Sequence, residues 1–359
     1  MKKTKDEIQN EALTAIRGFR RAGVGITVGG GKTLLGLKHM DENYSEHARF
    51  LVGAPKKSIH KEWISQAEEH GLSHLIPHIT FTTYRSLHKM DLDYDVFYID
   101  ECHSLKFSHQ EWLDAFTGKT IGLTGTEPAY EKSEKGIMVG KYCPIVYTYD
   151  TEEAIEDNLL NDYRIIVHTL ELGTTKDILI KKGASQWYTS ERAGYDYWTN
   201  RLDVAYGKEA QICRIMRMKA MQNLKSKEIL AKKLFESTKN KVILFADTQD
   251  QADRLCKHSV HANNPDSGEN LEAFKKGEIM KLSCVHQISE GANIPNLKEG
   301  IILHSFGNEV KATQKIGRMV RLNPDDVATI NILCYKNTVD VDWVKQALKK
   351  VNNDKIEWR

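Results

Sequence analysis

The sequence is poor in cysteine and contains no long apolar run. Its six cysteines lie far apart among 359 residues and include no CxxC pair, so we expect free thiols packed as small hydrophobes rather than a disulfide framework. Cys256, His258 and His261 are close in sequence, but no second ligand pair accompanies them and a metal site is not expected. Without a membrane span or the apolar run of a signal peptide, the chain is predicted to be cytoplasmic, with no membrane partner.

An excess of charge of one sign is also absent. The chain has 51 Lys and Arg against 49 Asp and Glu, giving a formal net charge of +2 and a pI near 8.1. Net charge therefore does not identify a nucleic-acid binder, although local basic clusters still can. With 28% charged and 40% hydrophobic residues, the composition is that of a soluble globular protein, and 359 residues are enough for two domains.

A glycine-rich stretch follows the first apolar segment. Residues 22–28 are predicted to form a short strand, Gly29–Gly31 follow, and Lys32 and Thr33 open a helical pattern. Glycines allow backbone N–H groups to surround phosphate oxygens, a lysine reaches the outer phosphates, and a threonine hydroxyl can bind Mg²⁺. Because Ile26 stands where the strict motif has its first glycine, this stretch alone leaves open a glycine-rich turn with a chance Lys-Thr pair.

An amphipathic helix is predicted before this strand, over residues 6–21. Ile8, Ala12 and Ile16 share one of its faces. Gln9 lies next to that face, and its amide can present both a donor and an acceptor to an adenine edge. Considered alone, Gln9 is equally compatible with a solvated helix residue.

The first half of the chain then alternates short apolar runs with helical spacers. Four runs are predicted to be buried strands: residues 50–55, 79–84, 96–100 and 120–125. This alternation predicts a parallel α/β sheet, in which ligands lie at the carboxyl ends of the strands.

Two adjacent carboxylates, Asp100 and Glu101, stand at the end of the third of these runs. Carboxylates at the end of an apolar strand are costly unless a cation or a reaction requires them. Asp100 suits the Mg²⁺ shell, and Glu101 suits positioning or deprotonating an attacking water. Together with Lys32 and Thr33, they supply the two halves of a metal–nucleotide site in the expected order.

The pairing of Gly29–Thr33 with Asp100–His103 resembles the superfamily 2 helicases and translocases, specifically their DExH branch. Three further stretches agree: residues 54–63 resemble motif Ia, residues 83–87 the next strand-end motif, and residues 123–128 motif III with one extra residue, Glu127. These stretches are closer to UvsW-like phage helicases and to XPB-like or Swi/Snf-like DNA translocases than to DEAD-box RNA helicases.

The second half resembles the remaining motifs of the same family. Residues 241–248 resemble motif IV, residues 289–295 motif V and residues 314–321 motif VI. Asn293 stands where the family usually has Asp, and Val285, where it usually has Thr, cannot supply a hydroxyl to a phosphate.

The motif VI stretch places three polar side chains on one predicted helix face. Gln314, Arg318 and Arg321 are separated by four and three residues. Two guanidiniums and an amide facing a triphosphate fit stabilisation of transition-state charge, with Arg318 or Arg321 as an arginine finger. A solvated basic helix is the alternative interpretation.

A long segment, residues 173–240, is predicted to be mainly helical and to separate the first strand of a second sheet from the next. It contains five aromatic residues within twelve positions, Trp187, Tyr188, Tyr195, Tyr197 and Trp198, followed by a basic run that includes Lys232 and Lys233. Aromatic and basic residues together are typical of a nucleic-acid surface. However, Ile212, Met216, Ala220 and Leu224 form a helical stripe, so the charges are equally compatible with a solvated face.

The resemblance implies an α/β fold class with two tandem RecA-like domains, parallel sheets and an ATP site in the interdomain cleft. We place the first domain at residues 1–150, an acidic linker at 151–162, and the second domain at 163–359, with 173–240 as its insertion.

The resemblance also implies specific site residues. The catalytic group is Glu101, Gln314, Arg318 and Arg321. The nucleotide contacts are Gln9, Gly29, Gly30, Gly31, Lys32, Thr33, Asp100, His103, Gly291 and Asn293, with Thr33 and Asp100 also binding Mg²⁺. The nucleic-acid contacts are Pro55, Lys56, Thr83, Arg85, Thr126, Thr248, Lys232 and Lys233.

The expected function is an ATP-dependent, nucleic-acid-stimulated motor. The first hypothesis is a DNA helicase or branch-migration translocase that remodels single-stranded, forked, branched or R-loop DNA, phage-encoded and acting in bacterial cytosol beside replication or recombination proteins. The second is an RNA helicase with the same engine, acting on RNA or an RNA–DNA hybrid. The third is an ATP-dependent DNA-binding clamp that hydrolyses ATP weakly. Its cofactors would be ATP and Mg²⁺ in each case.

Overall fold

The structure is a computed structural model that describes residues 2–27, 29–125, 127–128, 130–160, 162–222, 224–285, 294–303, 327–349 and 351–359. The described residues form two compact units, the first ending at Asp162 and the second beginning at Tyr163. Each unit has its own sheet and its own core.

The first unit alternates strands and helices along its described residues. Its strands are β1 Arg21–Ile26, β2 Phe50–Ala54, β3 Ile79–Thr83, β4 Val96–Asp100, β5 Lys119–Thr124 and β6 Ile145–Tyr149. Its α-helices are α1 Lys5–Arg17, α2 Lys32–Glu42, α3 Lys57–Glu69, α4 Gln110–Ala115, α5 Glu134–Tyr142 and α6 Thr151–Glu156. Short 3₁₀ turns occupy Ser73–His78, Tyr84–Lys89, Cys102–Ser104 and Phe107–His109.

The six strands form one parallel sheet in the order β3-β2-β4-β5-β1-β6. All five residues of β2 and of β4 are buried, as expected when both faces of a parallel sheet are covered. Since β2 lies between β3 and β4, the carboxyl ends of these three strands are neighbours. The parallel α/β class predicted from the sequence is confirmed.

Helix α1 shows why the chain forms this element locally. Thr4 and Glu7 make a capping box, in which the Thr4 hydroxyl accepts from the Glu7 N–H and the Glu7 carboxylate accepts from the Thr4 N–H. The predicted apolar face is buried, with Ile8, Ala12 and Ile16 at most 2% exposed.

The second unit has a larger sheet and a helical layer. Its strands are β7 Tyr163–Leu170, β8 Ile178–Lys182, β9 Ser185–Thr189, β10 Val242–Phe245, β11 Ser259–Val260, β12 Lys281–Cys284, β13 Glu299–Ile302, β14 Ala328–Tyr335 and β15 Ile356–Trp358. Its α-helices are α7 Glu191–Asp203, α8 Gly207–Ala220, α9 Lys225–Ser237, α10 Gln249–Leu255, α11 Ser267–Lys276 and α12 Val339–Ala347.

Within the described part of the second unit, seven strands pair in parallel in the order β11-β12-β10-β13-β14-β7-β15. The predicted second parallel sheet is therefore present, and its first strand follows the predicted domain boundary. Strands β8 and β9 form a separate antiparallel hairpin.

Residues 173–240 are mainly helical, because α7, α8 and α9 occupy most of the segment. The β8–β9 hairpin was not predicted, and it carries Trp187 and Tyr188 with 47% and 60% of their surfaces exposed. The predicted stripe is only partly buried, since Ile212 is 57% and Leu224 7% exposed, while Ala210 and Cys213 form the buried side of α8. Strand β6 was also missed, because Ile145–Tyr149 reaches into a stretch judged poor in strand signal.

The cysteine prediction is confirmed, because all six cysteines are free thiols and only Cys256 is partly exposed. Among the described residues, no helix is long and apolar enough to cross a membrane.

Candidate nucleotide site

The glycine loop lies between β1 and α2 in the first unit. Gly29 and Gly31 have φ angles of 92° and 82°, in the left-handed region that favours glycine. A Cβ atom on Gly31 would lie 2.4 Å from Gln9 Nε2, so a larger residue would displace that amide. Gly31 is the N-cap of α2 and provides no side-chain cap. The first N–H groups of α2, starting at Lys32, are thus positioned to meet an anion.

Lys32 and Thr33 occupy the first turn of α2, and both are half-buried. The Lys32 ammonium donates to the carbonyl oxygen of Ile26 at 3.3 Å, across the loop. The loop therefore encloses the lysine side chain at the same helix end where a phosphate would be held.

Gln9 reaches the loop from α1. Its side chain is 2% exposed, and Nε2 donates a long hydrogen bond of 3.5 Å to the Gly31 carbonyl. Its Oε1 atom is buried and has no hydrogen-bond partner among the described residues. A buried acceptor without a donor is costly, so this atom fits a ligand that brings an N–H, such as an adenine amino group.

Asp100 ends strand β4 and is 4% exposed. Its Oδ2 atom accepts from Trp63 Nε1 at 2.8 Å and its Oδ1 atom from the Glu101 N–H at 2.9 Å. Burial and then the neighbouring Glu101 carboxylate raise the pKa of Asp100 to about 7, although Trp63 and Lys32 act in the opposite direction. A carboxylate whose charge is penalised in this way would be stabilised by a bound divalent cation.

Glu101 follows in a left-handed conformation with φ 53°. Its Oε2 atom lies 3.3 Å from His103 Nδ1, and the same nitrogen lies 2.8 Å from Thr124 Oγ1 at the end of β5. Non-glycine residues in this backbone region often occur at functional sites. The Glu101 side chain is 20% exposed, but its Oε2 atom is buried and has no hydrogen-bond partner among the described residues.

Taken together, these residues fit Mg²⁺ and a nucleoside triphosphate. The uncapped start of α2 suits phosphates, and the unpaired buried oxygen of Gln9 suits an adenine donor. The buried Asp100 carboxylate, with its raised pKa, suits a cation. The sequence predicted each of these residues, and the structure brings Gln9, Gly31, Lys32 and Asp100 into one region of the first unit.

The predicted nucleic-acid contacts of the first unit lie at the same edge of its sheet. Lys56 is the exposed N-cap of α3, directly after Pro55 and strand β2. Thr83 ends β3, where it pairs with Ala54 of β2, and the exposed Arg85 follows. The end of β2 adjoins Asp100 at the end of β4, and the end of β3 lies one strand further along the sheet.

Three of the predicted nucleic-acid contacts are described residues of the second unit, and they lie on two helices. Thr248 is the N-cap of α10 and accepts from the Gln251 N–H at 3.3 Å. Lys232 and Lys233 are exposed on α9, and Lys232 Nζ lies 3.8 Å from Glu236 Oε1.

Two family models match the sequence, one in each half of the chain. The model of the type III restriction enzyme res subunit matches residues 2–129, and the helicase conserved C-terminal domain matches residues 225–323. The chain belongs to the superfamily 2 helicases. Its matched domains are those of a helicase-type, ATP-dependent nucleic-acid motor, and the predicted tandem RecA-like organisation is confirmed.

Individual relatives of this helicase are distant. It is 22% identical over 269 residues to "Putative helicase 22" of Sulfolobus islandicus filamentous virus, covering 72% of this chain and 45% of that protein. It is 29% identical over 153 residues to the pre-mRNA-processing ATP-dependent RNA helicase PRP5 of Candida glabrata, covering 36% of this chain and 19% of that protein. The helicase thus spans less than half the length of either relative.

Among solved structures, the helicase is similar to the ATP-dependent type ISP restriction-modification enzyme LlaBIII bound to DNA. The TM-score is 0.65 at 13% identity, and the match covers 100% of this chain and 31% of that one. At this identity the likeness shows the shared fold alone.

Several predicted site residues of the helicase lie outside the described residues. These are Thr126, Gly291, Asn293, Gln314, Arg318 and Arg321. Their roles remain predictions from the sequence.

Two residues that contact the site, Trp63 and Tyr84, were not predicted from the sequence to belong to it. Trp63 donates to the Asp100 carboxylate, and the Tyr84 hydroxyl donates to the Asp100 carbonyl oxygen. A buried indole N–H generally finds a hydrogen-bond partner, which was the available signal for Trp63. No sequence pattern indicated that its partner would be Asp100.

Proposed function

We propose that this helicase is an ATP-dependent motor that remodels forked, branched or R-loop DNA. The observation that carries the proposal is that three successive strands of a parallel sheet, β3, β2 and β4, end at the same edge, where they lead to Thr83–Arg85, Pro55–Lys56 and Asp100. Nucleotide and nucleic-acid contacts on adjoining strand ends would allow each ligand to influence the other.

Each part of the nucleotide site has a proposed role. Gly29–Gly31 and the start of α2 hold phosphate oxygens, and Lys32 neutralises their charge. Thr33 and Asp100 hold Mg²⁺, which when bound supplies Lewis-acid stabilisation of phosphate charge. Gln9 Oε1 accepts from the adenine.

Hydrolysis requires a positioned water and stabilisation of the developing charge. We assign the positioning or deprotonation of water to Glu101, whose Oε2 atom lies 3.3 Å from His103 Nδ1. Gln314, Arg318 and Arg321 would stabilise the transition state, and Gly291 and Asn293 would bind the nucleotide. Cycles of ATP binding and hydrolysis would drive movement along a bound strand.

DNA is the favoured substrate. The chain shares its fold with LlaBIII, which was solved bound to DNA. The sequences of this chain's motifs also resemble those of DNA translocases. The relationship to a virus-encoded protein supports a phage-encoded helicase. The observation that favours the second candidate, an RNA helicase, is the relationship to PRP5. An intact Glu101 argues against a weakly hydrolysing clamp.

The discriminating experiment is the ATPase rate measured without polymer and then with single-stranded DNA, duplex DNA, forked DNA and RNA. We expect the largest stimulation with forked or single-stranded DNA. Stimulation by RNA alone would favour the second candidate, and a rate that none of these polymers changes would reject the motor.

A further inference from the structure

Asp100 receives hydrogen bonds from two segments that each begin at a strand end. Trp63 Nε1 donates to Oδ2 of its carboxylate at 2.8 Å, and the Tyr84 hydroxyl donates to its backbone carbonyl. Both donors are in the interior, with Trp63 0% and Tyr84 6% exposed. One bond holds the carboxylate and the other holds the backbone of the same residue.

Trp63 connects the first strand end to the nucleotide loop. It lies on α3, the helix that starts directly after Lys56. Its indole also packs against α2, because a Cβ atom on Gly36 would lie 2.4 Å from the ring. Trp63 therefore touches the helix of the glycine loop and the Asp100 carboxylate at once.

Tyr84 makes the connection from the second strand end. It directly follows Thr83 and directly precedes the exposed Arg85. Its ring is packed in a core cluster that includes Leu51, Leu87 and Cys102. Burial raises the pKa of Tyr84 well above its usual value, so the hydroxyl keeps its proton and remains a donor.

Another buried tryptophan of the first unit makes a different kind of bond. Trp112 donates from Nε1 to the backbone carbonyl of Met90 at 2.9 Å, which satisfies the indole and nothing more. Trp63 instead donates to a carboxylate, a charge-assisted bond whose geometry sets the orientation of a functional group. Trp112 is a suitable control because it is a comparably buried indole in the same unit, 8% exposed.

We propose that Trp63 and Tyr84 are positioning residues that couple nucleic acid at Pro55–Lys56 and Thr83–Arg85 to the orientation of Asp100. Because protein interiors are close-packed, a small displacement of α3 or of the turn after β3 is transmitted to the donor atoms. The two donors then move the Asp100 carboxylate between an orientation that is less favourable and one that is more favourable for ATP hydrolysis. This inference rests on the proposed function, because it requires that nucleic acid bind at these strand ends.

The test uses Tyr84→Phe, which keeps the ring and removes only the donor, and Trp63→Phe, which removes the donor together with part of a buried indole. Matched controls are Trp112→Phe and Tyr142→Phe, since the Tyr142 hydroxyl donates to Asp114, away from the site. The ATPase rate is measured with and without saturating oligo-dT, and the affinity for oligo-dT is measured separately. The affinity for a fluorescent ADP analogue with Mg²⁺ is also measured with and without oligo-dT, which reports coupling without turnover.

We expect wild type to show a coupling of about 5- to 150-fold between the two ligands. Each positioning variant should bring both the ATPase stimulation and the ADP coupling towards one, with unchanged oligo-dT affinity in the absence of nucleotide, while both controls behave as wild type. Full coupling in both variants would overturn the inference, and so would lost coupling in the controls or a loss of oligo-dT affinity in the variants. If Trp63→Phe fails to fold, Tyr84→Phe decides alone. A wild-type protein that no polymer stimulates would instead reject the proposed function.

Discussion

Lys227 and Asp340 form an ion pair inside the second unit. The Lys227 Nζ and Asp340 Oδ2 atoms are 2.7 Å apart, and the two side chains are 4% and 0% exposed. Asp340 Oδ2 also accepts from the Tyr335 N–H at 3.0 Å, and the Lys227 ammonium lies 4.7 Å from the centroid of the Tyr335 ring. The pair therefore ties α9 to α12 and to the end of β14.

Removing one partner of this pair should destabilise the second unit strongly. We expect Asp340→Leu or Lys227→Met to lower the free energy of unfolding by about 3–5 kcal/mol, because either leaves a buried charge unpaired. The double variant with both substitutions should lose less than either single variant. Urea unfolding of wild type and the three variants tests this, and a double variant that loses more than either single variant would contradict it.

Lys32→Ala should abolish ATP hydrolysis and leave nucleic-acid binding largely intact. The ammonium is expected to neutralise phosphate charge, and we predict a loss of turnover of roughly a hundredfold or more. Steady-state ATPase measurements and a salt series of oligo-dT binding check the two halves of the prediction. Loss of both properties together would indicate a folding defect rather than the assigned role.

Arg321→Ala should retain ATP binding and lose turnover. An arginine finger contributes roughly a thousandfold or more to the rate of phosphoryl transfer and little to ground-state binding. Fluorescent nucleotide binding and single-turnover hydrolysis separate the two quantities. Arg318→Ala is the companion variant, because the sequence leaves open which arginine acts as the finger. Wild-type turnover in Arg321→Ala would refute its role.

Charge reversal at Lys232 and Lys233 should weaken DNA binding. Both side chains are exposed on α9. If each contacts a phosphate of a single strand, the double Lys→Glu variant should reduce the salt slope of binding by roughly 1.4. The matched control reverses Lys345 and Lys349, an exposed pair on and just after α12. Equal behaviour of the two variants would identify the α9 charges as a solvated face.

The stability of the first unit should fall as the pH drops from about 6.5 towards 4. His39 is buried against the Tyr98 hydroxyl, 2.7 Å from Nδ1, and burial, followed by the charge of Lys119, lowers the pKa of His39 to about 4. Between pH 6.5 and 4, His39 is protonated in the unfolded chain and neutral in the folded chain. Stability therefore rises with pH and is lost on acidification. Across this window the free energy of unfolding should fall by about 3 kcal/mol.

The check is urea unfolding of wild type and His39→Gln at several pH values between 4 and 7.5. The glutamine variant cannot titrate, so its deficit relative to wild type should shrink as the pH falls. Two curves that stay parallel across the window would exclude His39 as the cause.

Much of the first unit was predictable because its signals are local. The continuous apolar run of β4, the glycines before α2 and the carboxylates after Ile99 each arise from neighbouring residues. Short, exposed or edge elements lack such a signal. The β8–β9 hairpin carries exposed residues on both strands, so no buried face imposes an alternating pattern on it, and it was not predicted.

For the described residues, the sequence by itself determined the chemical groups of the candidate nucleotide site and the strand or helix end on which each one lies. Glycine in left-handed turns, a lysine at a helix start and carboxylates at a strand end follow from short-range sterics and solvation. Only the tertiary structure decided which groups meet. Trp63 and Tyr84 both reach Asp100 because the sheet places β2 between β3 and β4, an order that depends on long-range packing and that no local pattern encodes.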